Sequence, residues 1–164
     1  MRSTPSIRIN AVSIDRRRIL HFAVSSKPHS QWAIQQLRET FAFDETTKYV
    51  IRDNDGIYSN EFKQTIKRFQ MEDTPTAPRS PWQNLFAERV IGTLRRECLD
   101  HMIILNERHL YDVLHEYIFE YYNVSRTHMS LGKDSPEHRS IQKDGKIVSK
   151  AILGGLHHVY SRVA

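Results

Sequence analysis

The sequence predicts an α/β layered domain with a small mixed sheet, and three observations carry that prediction. Apolar and polar residues alternate near the N-terminus, and apolar residues recur at helical spacing in four later segments. The two patterns follow one another in the order strand, strand, helix, strand, helix, helix, helix, which is the order of a layered α/β domain. At 164 residues and 39% apolar content, the chain is long enough for one domain with its own core.

Ile7, Ile9 and Ala11 alternate with Arg8 and Asn10. After a turn at Asp15-Arg16, residues Arg18 to Val24 alternate again with Leu20, Phe22 and Val24 on one face, which predicts an antiparallel hairpin. Ser30 is a candidate cap for a helix over Gln31 to Thr40, with Ile34, Leu37 and Phe41 on its apolar stripe. Lys48 to Arg52 reads as a short strand that ends at Asp53, and Gly56 breaks the run. A second helix, about Asn60 to Gln70, carries Phe62, Ile66 and Phe69.

Asp73 to Pro81 contains three prolines and is expected to be an irregular surface loop. Pro81 then suits the first turn of a helix running to Leu99, with Ala87, Val90, Ile91, Leu94 and Cys98 at core spacing. A further amphipathic helix, about Arg108 to Tyr122, turns Leu110, Val113, Leu114, Tyr117 and Tyr121 inward. The boundaries expected are a core over 7–141 and a basic C-terminal tail over 142–164.

The net charge of +5 is distributed in blocks: residues 1–40, 79–96 and 124–164 are basic, while 41–78 and 97–123 are acidic. Such blocks suit a basic face for a polyanion beside an acidic packing helix. The single cysteine, Cys98, excludes an internal disulfide and a cysteine zinc cluster, and reads as core. No apolar run approaches a membrane span, and no secretory signal opens the chain, so the expected location is a reducing cytoplasm with no membrane partner. The histidines show no spacing that favours zinc.

Two carboxylates stand where metal-dependent phosphoryl transfer would use them. Asp53 closes a strand, from which a side chain reaches the crevice beyond the sheet, and Glu88 lies near the start of a helix. Thirty-four residues separate them, enough for the chain to fold back and bring both acids to one divalent cation. A polar turn is the plain alternative for Arg52-Asp-Asn-Asp-Gly56. An EF-hand loop is discounted because its glycine is misplaced and position twelve is Gln64.

Asn84, Glu88, Gly92 and Arg95 form one polar stripe, on which a glycine costs about 1 kcal/mol against alanine unless another backbone, DNA being a candidate, approaches closely. Arg89, Arg95 and Arg96 add charge suited to phosphates. Hard oxygen ligands suit Mg²⁺ or Mn²⁺, and two such ions can activate a hydroxyl and stabilise a leaving oxygen.

With Arg52–Tyr58, Ser80–Glu97, Tyr122–Leu131 and Gly154–Tyr160 in this order, the chain resembles the catalytic core of the retroviral-integrase superfamily, and particularly insertion-sequence transposases with a D, D, E site. The resemblance covers about Ile9 to the end. It implies an RNase H-like three-layer fold, two Mg²⁺ or Mn²⁺ ions, DNA as partner and assembly as a homo-oligomer. The implied activity is that of a polynucleotidyl transferase in DNA transposition or integration: cleavage, then attack of a DNA 3′-hydroxyl on a target phosphodiester. It further implies a mobile element in a bacterial cytoplasm, associated with the nucleoid.

By the same resemblance the second acid is Asp53, since the tyrosine five places on is Tyr58, and the closing acid is Glu88. Asp55 is a possible auxiliary ligand. Arg126 and His128 belong to a motif that braces the core or contacts DNA, and Asn84, Arg89, Arg95 and Arg96 complete the expected DNA-binding set. The family's first acid stands on a first strand of three, whereas two strands precede the first helix here, with Asp15 in the turn between them. The expectation is therefore an N-terminally incomplete core whose first strand and acid lie upstream of Met1, with Asp15 as the auxiliary candidate. An inactive remnant, a catalytically dead DNA-binding or oligomerisation module, and an RNase H-like nuclease are the alternatives.

Overall fold

The computed structural model describes residues 6–12, 16–41, 49–52, 55–77 and 85–163. The chain divides into two compact units, Met1–Ala11 with Leu20–Ile91 and Val12–Ile19 with Gly92–Ala164. The expected α/β class is found. Its described strands form three two-stranded ladders, β1–β2, β3–β4 and β5–β6, and no ladder joins one pair to another among the described residues.

Strand β1 spans Ser6–Val12 and pairs with β2, Ile19–Ser25. The single buried face expected for Leu20, Phe22 and Val24 is not what forms. Phe22 and Ala23 are buried although they are adjacent, and adjacent strand residues point to opposite faces, so β2 is covered on both sides. Helix α1, Ser30–Thr40, is capped by His29 rather than Ser30: His29 Nδ1 accepts the Trp32 amide hydrogen at 3.2 Å. Ser30 instead donates its hydroxyl to Ser59, the residue that caps α2, Asn60–Arg68, and so ties the two helix starts together.

Ala33, Ile34 and Leu37 of α1 pack with Phe62, Ile66 and Met71 as the core of the first unit. Burying each of the larger aliphatic and aromatic chains contributes about 1.5–3 kcal/mol. Strand β3, Tyr49–Arg52, adds Val50 to this core and pairs in parallel with β4, Glu72–Pro75. Residues 73–75 are therefore not irregular, as the prolines had suggested. Pro75 falls at the end of β4, and the next amide, Thr76, supplies the ladder bond to the Arg52 carbonyl at 2.8 Å, so the missing proline N–H costs no pairing there. The Ser80-Pro81 start expected for the following helix lies outside the described residues.

Helix α3 spans Leu85–Glu97, with Val90 and Leu94 buried on the expected stripe and Cys98 buried just beyond it. Helix α4, Glu107–Tyr117, is capped by Asn106 Oδ1, which accepts from the His109 amide at 2.8 Å. The single helix expected to Tyr122 changes pitch after Tyr117: Ile118–Tyr122 is a π turn, closed by the Asn123 amide on the Ile118 carbonyl at 2.9 Å. That wider turn delivers the buried Asn123 side chain to Ile19. Its Oδ1 accepts from the Ile19 amide at 3.0 Å and its Nδ2 donates to the Ile19 carbonyl at 2.9 Å.

Residues 146–163 form an antiparallel hairpin of β5, Lys146–Ile152, and β6, His157–Val163. The hairpin is tied to α4 by the Leu153 amide, which donates to Glu116 Oε1 at 2.7 Å. Among the described residues no helix is long and apolar enough to cross a membrane.

Candidate functional site

Asp53, Asp15 and Asn84 lie outside the described residues. What is described is how the chain is held immediately before Asp53. Arg52 is buried, and its guanidinium grips Asp73 with Nε to Oδ1 and Nη2 to Oδ2, both at 2.8 Å. Its Cζ sits 5.2 Å from the centre of the Tyr58 ring, which in turn packs on Phe62 at 4.8 Å. The buried cation is thus paired, hydrogen-bonded and covered by an aromatic face, which offsets its desolvation. Tyr58, singled out by its place after Asp53, serves here as the wall against which Arg52 rests.

Asp55 has a local task. Its Oδ1 accepts from the Ile57 amide at 3.2 Å and its carbonyl from the Tyr58 amide at 3.1 Å, so the side chain shapes the turn after the strand. Glu88 differs from it. It lies in the first turn of α3, is exposed, and has no hydrogen-bond or ion-pair partner among the described residues. A carboxylate in the first turn is favoured by the helix dipole, and its oxygens remain open to a hard cation. Among the described residues no group of three or more histidines, cysteines or acids could hold a metal.

Arg89, Arg95 and Arg96 are exposed along α3. Arg96 occupies the space that the sequence left open above Gly92: its Nη1 lies 3.0 Å from where a Cβ on Gly92 would be. The glycine therefore accommodates the chain's own guanidinium.

Arg126 and His128 are drawn inward. Arg126 donates to both oxygens of Glu97, at 2.6 and 2.7 Å, while the Tyr117 hydroxyl donates to Glu97 Oε2 at 2.7 Å. Burial alone would raise the Glu97 pKa, but the hydrogen bonds from Arg126 and Tyr117 and the Arg126 charge hold it below the usual carboxylate value. Arg126 also lies over the Tyr122 ring at 5.6 Å. His128 is buried, edge-on to Tyr122 at 5.3 Å; burial first, then the Arg126 and Arg17 charges, push its pKa down to about 4. These two residues sit in a network that joins the end of α3 to the end of α4.

The network's other members, Glu97, Tyr117 and His157, were not visible as functional in the sequence. Glu97 and Arg126 lie 29 positions apart, beyond any local spacing rule. The signal that existed was Tyr122-Asn-Val-Ser-Arg126, whose arginine follows a helix with an inward tyrosine stripe.

Residues 70–136 match the family model of the integrase core domain. The expected resemblance to integrase-type cores therefore holds. The match takes in α3 with Glu88 and the Glu97–Arg126 pair. Among solved structures, a chain of the cryo-EM structure of the simian T-cell lymphotropic virus intasome in complex with PP2A regulatory subunit B56 gamma aligns with a TM-score of 0.53 at 18% identity. The alignment covers 87% of the present chain and 54% of the intasome-structure chain, so the present chain spans about half the length of that neighbour. The shared fold is RNase H-like. No curated protein matches the chain.

Proposed function

We propose that this chain acts as the catalytic core of a DNA transposase or integrase, cleaving DNA and joining a DNA 3′-hydroxyl to a target phosphodiester, with Asp53 and Glu88 as metal ligands. The observation that carries the reading is Glu88, an exposed carboxylate with no partner among the described residues, in the first turn of the helix that lies within the integrase-core match. The donor chemistry fits Mg²⁺ or Mn²⁺, because both acids offer hard oxygens. Two such ions, when bound, would supply activation of the attacking hydroxyl and stabilisation of the leaving oxygen.

The protein's own residues do the rest. The Arg52–Asp73 grip fixes the strand end from which Asp53 follows, and Arg89, Arg95 and Arg96 hold phosphates. Arg126 and His128 brace the helix that carries Glu88 rather than meet DNA. Joining two DNA ends calls for more than one core, so assembly as a homo-oligomer belongs to the same reading. Asp15 is the candidate for a third carboxylate, and weaker Mn²⁺ binding by Asp15→Asn would support that role.

The test is Mn²⁺ binding by calorimetry, with strand transfer of a labelled DNA end measured alongside. Asp53→Asn and Glu88→Gln should each weaken Mn²⁺ binding by roughly tenfold or more, without loss of folding. Mn²⁺ binding indifferent to both substitutions overturns the assignment. DNA binding without Mn²⁺ binding makes the chain a catalytically dead DNA-binding module, and metal-dependent cleavage without joining makes it an RNase H-like nuclease.

A further inference from the structure

The Gly154–Tyr160 stretch holds none of the proposed metal ligands, and the β5–β6 hairpin divides its residues between two faces. In the register, His157 stands opposite Ile152, His158 opposite Ala151, Tyr160 opposite Ser149 and Arg162 opposite Ile147. Side chains alternate along a strand, so His157 and Val159 share one face with Ile152 and Val148, while His158, Tyr160 and Arg162 share the other. The first face is internal at its Ile152 end. Ile152 is fully buried, the His157 ring stacks on Tyr121 at 4.2 Å, and His157 Nε2 donates to the Glu97 carbonyl at 2.6 Å.

The second face is open. Tyr160 is 59% and Ile147 58% exposed, and His158 is exposed as well. The residues opposite the two rings are Ser149 and Ala151, both too small to cover them. The rings lie nearly parallel, with centroids 6.2 Å apart and planes at 29°. Next along the strand, Arg162 is oriented by one bond from Nη1 to the Gly145 carbonyl at 2.8 Å. Lys143 and Lys146 lie at the same open end of the hairpin, and the one acid between residues 142 and 164 is Asp144.

Uncovered ring faces in line with an oriented guanidinium, on a basic strand pair, match the chemistry of a nucleotide strand: a base for each ring and a phosphate for the cation. A duplex keeps its base faces inside its own stack and offers this surface only phosphates, which would leave the rings unused. We propose that the outer face of the β5–β6 hairpin binds single-stranded DNA, with bases stacked on Tyr160 and His158 and a phosphate held by Arg162. The choice of DNA rests on the function proposed above, whereas the stacking surface is independent of the metal site.

The experiment is fluorescence anisotropy of a labelled single-stranded DNA of about 15 nucleotides with the whole chain, in EDTA, across a salt series. Removing metal separates this proposal from the previous one, since a chain that binds no Mn²⁺ can still show the platform. Tyr160→Ala should weaken binding roughly tenfold, while Tyr160→Phe, which keeps the ring, should stay within about twofold of the parent. Arg162→Gln should weaken binding and reduce the salt slope by about 0.7. Thermal unfolding of each variant should match the parent. Binding unchanged by Tyr160→Ala, equal affinity for a duplex with the same sensitivity to the variants, or tighter binding of single-stranded RNA of the same sequence would each overturn the proposal.

Discussion

Arg126 holds Glu97 in a two-pronged ion pair, with Nη2 2.6 Å from Oε1 and Nε 2.7 Å from Oε2. Glu97 is the last residue of α3, so the pair anchors the C-terminal end of the helix that carries Glu88. The Tyr117 hydroxyl completes the grip on the side chain, and His157 takes the backbone carbonyl. Removing the cation leaves a partly buried carboxylate with a single hydroxyl. Arg126→Leu should therefore cost about 2–3 kcal/mol in urea unfolding, below the range for fully buried pairs because both side chains keep some exposure. Arg126→Lys should recover less than half of that, since an ammonium cannot reproduce the fork.

The same network sets an acid limit on stability. His128 has a folded pKa depressed to about 4 against the ordinary imidazole value of 6.5, so between those values the unfolded chain binds the extra proton and the folded one resists it. Stability is then fully present above about pH 6.5 and falls as the pH drops towards 4, by at most about 3 kcal/mol from this group. Glu97, whose folded pKa is also lowered, adds a loss of the same sign as its folded pKa is crossed at lower pH. Denaturation midpoints at pH 7 and pH 4.5 measure the first part, and His128→Gln should flatten the difference between them.

Gly145 closes the open end of the β5–β6 hairpin at φ +99°, and a Cβ there would meet the Val163 carbonyl oxygen at 2.4 Å. Both the left-handed backbone and the close approach of a second strand exclude a side chain. Gly145→Ala should cost about 1–3 kcal/mol, felt first as local opening of the hairpin. Amide exchange should accelerate at Lys146 to Val148 and at Ser161 to Val163 while α4 remains protected. Equal acceleration throughout α4 would mean that the hairpin and the helix open together.

The four helices were legible in the sequence because each carries its own apolar stripe, and a stripe is local information. Strand β4 was not, since Glu72-Asp-Thr-Pro75 has no alternation and only Thr74 as a β-former, and becomes a strand through its parallel pairing with β3 and the Arg52–Asp73 grip. The π turn after Tyr117 was hidden for a similar reason: Asn123 departs from helical pitch to bond Ile19, a partner 104 positions away. The C-terminal hairpin left a usable sign, a Gly154-Gly155 pair between strand-like runs, which the basic charge of the segment obscured. Within the candidate site, Glu88 stood out as a candidate through its chemistry and its helix position, and Arg126 and His128 were expected to brace the core or contact DNA. A basic residue in a motif does not reveal whether its partner is a phosphate or a carboxylate 29 positions upstream.

That distinction yields a final prediction. Arg89, Arg95 and Arg96 are exposed on α3, whereas Arg126 is already neutralised by Glu97. A cation that releases a counterion from duplex DNA contributes about 0.9 to the slope of log affinity against log salt, and a cation committed to a carboxylate contributes nothing. Replacing Arg89, Arg95 or Arg96 singly by Ala should lower that slope by close to one unit and weaken duplex binding at low salt, with little change in unfolding. Arg126→Leu should do the reverse, leaving the salt slope intact while lowering the unfolding midpoint. A reduced slope for Arg126→Leu at an unchanged unfolding midpoint would show that the guanidinium leaves Glu97 for a phosphate when DNA arrives, and the brace would then be a DNA-responsive switch.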